Sequence, residues 1–92
     1  MDNKLHKKCM ELSRHAIGMD QRKIFIREGA RIYLPYRNYY TAPEPVEAWE
    51  YMVKEGWAVR QDCQDGGVRY SMTPDGIQWM ARELLVNICL VY

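Results

Sequence analysis

Residues 47–80, EAWEYMVKEGWAVRQDCQDGGVRYSMTPDGIQWM, read as helix, strand, tight turn, strand and capped helix. Pro45 suits the first position of a helix spanning about 45–55, with Val46, Trp49, Met52 and Val53 on its buried face. Glu47, Glu50, Lys54 and Glu55 then point outward, and Gly56 stops the helix. A strand from Trp57 to Cys63 follows. Gln64-Asp65-Gly66-Gly67 reverses the chain, with Asp65-Gly66 as a two-residue turn signal at its tip. Val68 to Met72 returns. Thr73 can cap the last helix, Pro74 fits its first position and Asp75 suits its positive end. Ile77, Met80, Ala81, Leu84 and Ile88 would line one face of that helix.

Upstream, residues 3–17 read as a first helix. Leu5, Cys9, Leu12, Ala16 and Ile17 recur at helical spacing, Asp2 or Asn3 can cap, and Gly18 supplies a left-handed stop. The apolar stripe is narrow, so this helix is expected to cover a core rather than form its centre. Next, Lys23 to Arg27 and Arg31 to Leu34 flank Glu28-Gly29-Ala30, a hairpin pattern in which Ile24 and Ile26 share a face, as do Ile32 and Leu34. Pro35, lacking an amide donor, ends the second strand. Pro35 to Pro45 is the least regular segment. Trp49, Trp57 and Trp79 are expected to form one buried cluster.

The order helix, two-stranded wing, helix resembles the C-terminal part of a winged-helix domain. Tyr70-Ser71-Met72-Thr73-Pro74-Asp75-Gly76 carries the Y-x-x-T-x-x-G turn of that pattern. The expected architecture is α+β, with three helices and two β-hairpins, winged-helix-like, in a single domain over residues 1–92.

Ninety-two residues support one small core. The chain has no apolar run near the roughly 20 residues that span a bilayer, and no apolar signal core in its first residues, so a cytoplasmic protein without membrane association is expected. Cys9, Cys63 and Cys89 are scattered and odd in number, which fits free thiols in a reducing compartment. Net charge is +1, yet residues 1–41 carry nine Lys/Arg against four Asp/Glu and residues 42–92 carry four against eight. Such asymmetry can mark an interaction surface or let two halves of one fold attract each other.

Few residues declare a chemistry. His6, Cys9 and His15 share a helix, but separations of three and nine residues do not close a zinc ligand set. His15 with Glu11 or Asp20 imitates a base and its orienting group, yet Ser13 lies on a different face and offers no nucleophile beside it. No phosphate-binding glycine loop is present. The expectation is a non-enzymatic protein with no cofactor and no metal.

The candidate surface is Tyr33-Leu34-Pro35-Tyr36-Arg37-Asn38-Tyr39-Tyr40. Tyrosine and arginine are over-represented at binding hot spots, and aromatics beside Arg31 and Arg37 can stack on exposed bases. Tyr33, Tyr36 and Tyr40 can equally fold inward to enlarge a small core. The helix ahead of the wing carries Glu44, Glu47, Glu50 and Glu55 against one lysine, which opposes entry into a DNA groove. Arg37, Tyr39, Glu47 and Glu50 are therefore the candidate protein contacts. If duplex DNA is bound instead, Lys7, Lys8, Arg22 and Arg31 are the candidates.

A second resemblance covers about residues 5 to 85. His15-Ala16-Ile17-Gly18-Met19-Asp20, then Pro35-Tyr36-Arg37-Asn38-Tyr39-Tyr40, then Gly56-Trp57 and Thr73-x-x-Gly76 look like a family of small bacteriophage and prophage proteins. It carries no catalytic or binding residues across. It implies a phage-type inhibitor that binds a bacterial host protein or nucleoprotein complex, anti-CRISPR-like, or else a winged-helix transcriptional regulator that binds DNA.

Overall fold

The computed structural model describes residues 2–89. In chain order these form α1 (Asn3–Ala16), a single 3-10 turn (Gln21–Lys23), β1 (Phe25–Arg27), β2 (Ala30–Tyr33), β3 (Tyr40–Ala42), α2 (Glu47–Lys54), β4 (Ala58–Asp62), β5 (Val68–Met72), α3 (Pro74–Leu84) and β6 (Asn87–Ile88). The architecture is α+β: three helices with two three-stranded sheets, in the orders β1-β2-β6 and β3-β5-β4.

Asp2 starts α1 by accepting the Leu5 amide at 2.8 Å, and Gly18 follows its end with φ +70. The buried face is wider than the expected narrow stripe, because Met10 and Ser13 join Cys9, Leu12 and Ala16. Ser13 is accommodated by donating its hydroxyl to the Met52 sulfur at 3.2 Å, and the Cys9 thiol donates to the Ala48 carbonyl at 3.6 Å. Thus α1 packs on α2 at the centre of the core rather than merely covering it.

The β1–β2 hairpin turns through Glu28 and Gly29, both with positive φ (52 and 81). That is the two-residue turn whose twist suits paired strands. Its register sets Phe25 opposite Ile32, Ile26 opposite Arg31 and Arg27 opposite Ala30. β6 adds to β2 in parallel, Tyr33 opposite Ile88. Ile88 therefore lies in a strand and not on the last helix: Leu85 turns left-handed at φ 54 and ends α3.

In the second sheet the hairpin β4–β5 pairs Ala58 with Met72 and Asp62 with Val68. Its loop is not the expected two-residue Asp65-Gly66 turn. Gly66 N–H bonds the Cys63 carbonyl at 3.1 Å, Cys63 N–H bonds the Gly67 carbonyl at 2.8 Å, and Gly66 takes φ 92. This makes a longer loop with a left-handed glycine. The segment expected to be irregular contains β3, which lies antiparallel on β5 with Tyr40 opposite Tyr70. Pro45 stands outside α2: Val46 is extended at its cap position, with no side-chain cap of its own. Only α2 lies between β3 and β4, whereas a helix-turn-helix has two helices there.

The tryptophans belong to one core, Trp57 only half-buried, and within it they form two stacks. Trp57 and Trp79 lie parallel with centroids 4.2 Å apart, joining β4's start to α3. Trp49 instead stacks on Tyr70 at 5.1 Å and meets Tyr40 at 5.6 Å. Cross-strand neighbours decide this: once β3 and β5 pair, Tyr40 and Tyr70 stand side by side beneath α2. Thr73 caps α3 by accepting the Gly76 amide at 3.0 Å while donating to the Gly56 carbonyl at 2.7 Å. A side chain at Gly76 would overlap the Trp57 carbonyl. Close approach of helix to strand fixes glycine there.

Candidate functional site

The last carbonyls of a helix have no partner within it. At the end of α1, three such oxygens are taken by the Tyr-rich segment. His15 O accepts from Arg37 Nη2 at 2.7 Å, Ala16 O from the Tyr39 amide at 3.1 Å, and Ile17 O from the Tyr33 hydroxyl at 2.8 Å. Burial pushes the Tyr33 phenol above its ordinary range. The Tyr36 ring lies against Gly18, where a Cβ would meet it. Asn38 then copies a strand partner: its Nδ2 donates to the Met72 carbonyl at 2.9 Å and its Oδ1 accepts the Met72 amide at 2.8 Å. The 15–20 and 35–40 segments are thus two halves of one clamp. Of the expected contacts, Arg37 is half-buried and committed to α1, while Tyr39 keeps an exposed ring.

What the clamp leaves outside is the outer side of the first sheet. Burial alternates from Tyr33 onward, where Tyr33 and Pro35 are buried and Leu34 and Tyr36 exposed, whereas nearer the hairpin tip both sides are open, with Ile26 74% exposed opposite Arg31. Ile32, Leu34 and Tyr36 therefore share the outward side with Phe25, which stands opposite Ile32. Phe25 is 42% exposed and Tyr36 59%. Lys23 Nζ lies 4.3 Å from the Tyr36 ring centre, and the Arg37 guanidinium flanks the same ring at 5.5 Å. Arg27 completes the row at the hairpin end, in register with Ala30. A second pair of the same kind follows, with the Arg69 guanidinium 4.6 Å from the Tyr39 ring centre. Each arrangement has the geometry of a cation–π contact. Lys23, Arg27, Arg37 and Arg69 make no ion pair among the described residues. Phe25 and Arg27 are not among the sequence candidates; strand alternation sets them on one side, opposite Ile32 and Ala30.

The acidic helix has a different character. Glu50, expected outside, is half-buried, and its carboxylate accepts the Tyr70 hydroxyl at 2.5 Å and an Arg60 N–H at 3.1 Å. Arg60 also pairs with Asp62 at 2.8 Å. Tyr70 in turn accepts the Val46 amide at 3.2 Å, which ties the start of α2 to β5. Burial, and then the Glu50 hydrogen bond, raise the Tyr70 pKa. Glu50 is therefore a structural group, because the β3–β5 pairing brings Tyr70 under α2. Glu47 remains exposed.

The basic candidates are dispersed. Lys7 lines a groove of about 410 Å³ with Arg14 and Leu84, and Arg31 lines a neighbouring one of about 300 Å³ with Arg14 and Glu83. Arg31 also donates to the Leu84 carbonyl at 3.5 Å, at the negative end of α3. Lys8 pairs with Glu11 at 4.0 Å. Arg22 holds Asp20 at 3.0 Å, and its hydrogen bonds keep the Asp20 carboxyl down at about 2.

Among the described residues no three His, Cys, Asp or Glu side chains gather as a metal site. Cys9 is buried, and burial raises its thiol pKa, the opposite of an activated nucleophile. No described helix is long and apolar enough to cross a membrane. Comparison with family models, curated proteins and solved structures gave no match.

Proposed function

We propose that the protein is a non-enzymatic protein-binding module, an inhibitor of a bacterial defence or nucleic-acid-processing complex, acting in the cytoplasm of a bacterial host. The observation that carries this reading is the outward side of the first sheet. Exposed Phe25, Leu34 and Tyr36 stand there among Lys23 and Arg27, cations with no carboxylate partner among the described residues. Aromatic anchors with adjacent cations are the composition of binding hot spots, and charge complementarity then selects an acidic partner. The acidic helix contributes less, because Glu50 and Asp62 are bound to Arg60.

The test is partner capture from nuclease-treated bacterial lysate by the wild type, Arg27→Glu and Glu47→Lys, each checked for folding by circular dichroism. Retention by Glu47→Lys and loss by Arg27→Glu support this surface. The reverse result returns the function to the acidic face.

The second reading is a winged-helix DNA-binding regulator. It is favoured by the strand order β3-β5-β4 with α2 leading into the wing, and by Lys7, Arg14 and Arg31 along adjoining grooves. Steep loss of duplex binding with salt, removed by Lys7→Ala with Arg31→Ala, distinguishes it.

A further inference from the structure

We propose that the row Arg27, Phe25, Lys23 and Tyr36 is a binding surface for single-stranded nucleic acid. This rests on the outward side of the first sheet being the working one, and names the chemistry it takes.

Three observations lead there. First, rings and cations alternate. Phe25 and Arg27 share one side of β1, and Lys23, ending the 3-10 turn just before that strand, lies 4.3 Å from the Tyr36 ring centre, with Arg37 at 5.5 Å from the same ring. An unpaired strand presents the matching alternation, bases between phosphates. Aromatic side chains accept any base by stacking, while cations track the backbone. Second, carboxylates are nearly absent from the row. Asp20 is neutralised by Arg22 at 3.0 Å, and Glu28 sits at the hairpin turn, beyond Arg27. Third, the surface is the side of a short sheet, with neither a helix nor a long ribbon to enter a duplex groove. Phe25 and Tyr36 can meet bases only where these are unstacked. A phosphate-only contact would need the cations but not the exposed Phe25.

The same pattern continues along the chain at Tyr39 with Arg69 at 4.6 Å. Tyr39 stays 43% exposed although its amide is held by Ala16. The backbone, not the ring, makes the clamp, so the ring is left to Arg69 and solvent.

The experiment is fluorescence anisotropy with a labelled oligothymidylate of about 20 nucleotides, longer than the roughly 4–16 covered by one small module. A duplex of equal length is the competitor. The expected result is oligothymidylate binding that weakens with salt and is preferred over duplex. Phe25→Ala should weaken it about tenfold, within the range for loss of one stacked base. Lys23→Ala with Arg27→Ala should reduce the log–log salt slope by about 1.4, at about 0.7 per phosphate on a single strand. Circular dichroism confirms that each variant is folded.

Absence of oligothymidylate binding at low salt overturns the proposal, as does binding indifferent to Phe25→Ala or duplex bound equally well. If Phe25→Ala and Arg27→Glu instead lose a captured protein from nuclease-treated lysate while no oligonucleotide binds, the nucleic-acid assignment fails and the protein-binding reading stands. Oligonucleotide binding with no protein captured gives the converse.

Discussion

Arg37 Nη2 donates to the His15 carbonyl oxygen at 2.7 Å, so the arginine of the Tyr-rich segment closes the end of α1. Around it, the Tyr39 amide and Tyr33 hydroxyl take the next two carbonyls. The motif pair at 15–20 and 35–40 therefore has a folding role: it ties a helix end to the chain that leads into β3. The same clamp turns Tyr36 outward and gives Lys23 its ring.

Asn38 should be the most sensitive polar position of the clamp. Asn38→Asp replaces the donor facing the Met72 carbonyl with a second acceptor, and should cost about 1–3 kcal/mol. Asn38→Ser should recover little, since one hydroxyl cannot make both bonds. Urea unfolding followed by tryptophan fluorescence measures both; an unchanged midpoint for Asn38→Asp would remove the strand-mimic role.

The Trp57–Trp79 stack and the contact beneath it should behave as one unit. Trp79→Ala should cost about 3–5 kcal/mol. Gly76→Ala adds a single carbon where the Trp57 carbonyl already sits, and should cost about 1–3 kcal/mol or more by overpacking, despite alanine's better helix propensity. A stabilised Gly76→Ala variant in thermal unfolding would contradict the close helix–strand approach.

The two candidate glutamates of α2 should separate cleanly. Glu47→Lys is a surface change and should shift stability by no more than about 0.5 kcal/mol. Glu50→Lys leaves the Tyr70 hydroxyl without its acceptor and sets a cation beside Arg60, so about 1–3 kcal/mol should be lost. This corrects the sequence expectation that Glu50 points outward like Glu47. Equal melting temperatures for the two variants would restore that expectation.

Alkaline pH should loosen the core through its phenols. Burial raises the pKa of Tyr70 and Tyr33 above the unfolded value of about 10. For a group with a raised folded pKa, the stabilisation is full below the unfolded value and is lost as pH rises toward the folded one. Melting temperature should accordingly fall above about pH 10. Tyr70→Phe should flatten that fall while lowering stability at neutral pH, where the Glu50 bond is lost. An identical alkaline profile in the variant would contradict the assignment.

Local chemistry made α1, the β1–β2 and β4–β5 hairpins and the α3 cap readable, because Asp2, Gly29, Thr73 and Pro74 act within a few residues of themselves. Elements set by distant partners were not. β3 is three residues between prolines, with β5 as its only strand neighbour among the described residues. Glu50 looked like a solvated helix residue until Tyr70, twenty positions later, appeared beneath it. The same holds for the site: the Tyr-rich segment was visible as a candidate, but Arg37's commitment to His15 was not. Phe25 reads as an ordinary strand residue in the sequence, because its exposure depends on how the hairpin sits against the rest of the fold.

The most direct test of the account asks which side of the molecule touches its partner. Phe25→p-benzoyl-phenylalanine and Glu47→p-benzoyl-phenylalanine, irradiated in a bacterial lysate, place the same photoreactive group on the outward sheet side and on the acidic helix. The account predicts a defined adduct, protein or nucleic acid, from position 25 and none from position 47. An adduct from position 47 alone, with position 25 silent in a folded variant, would contradict it.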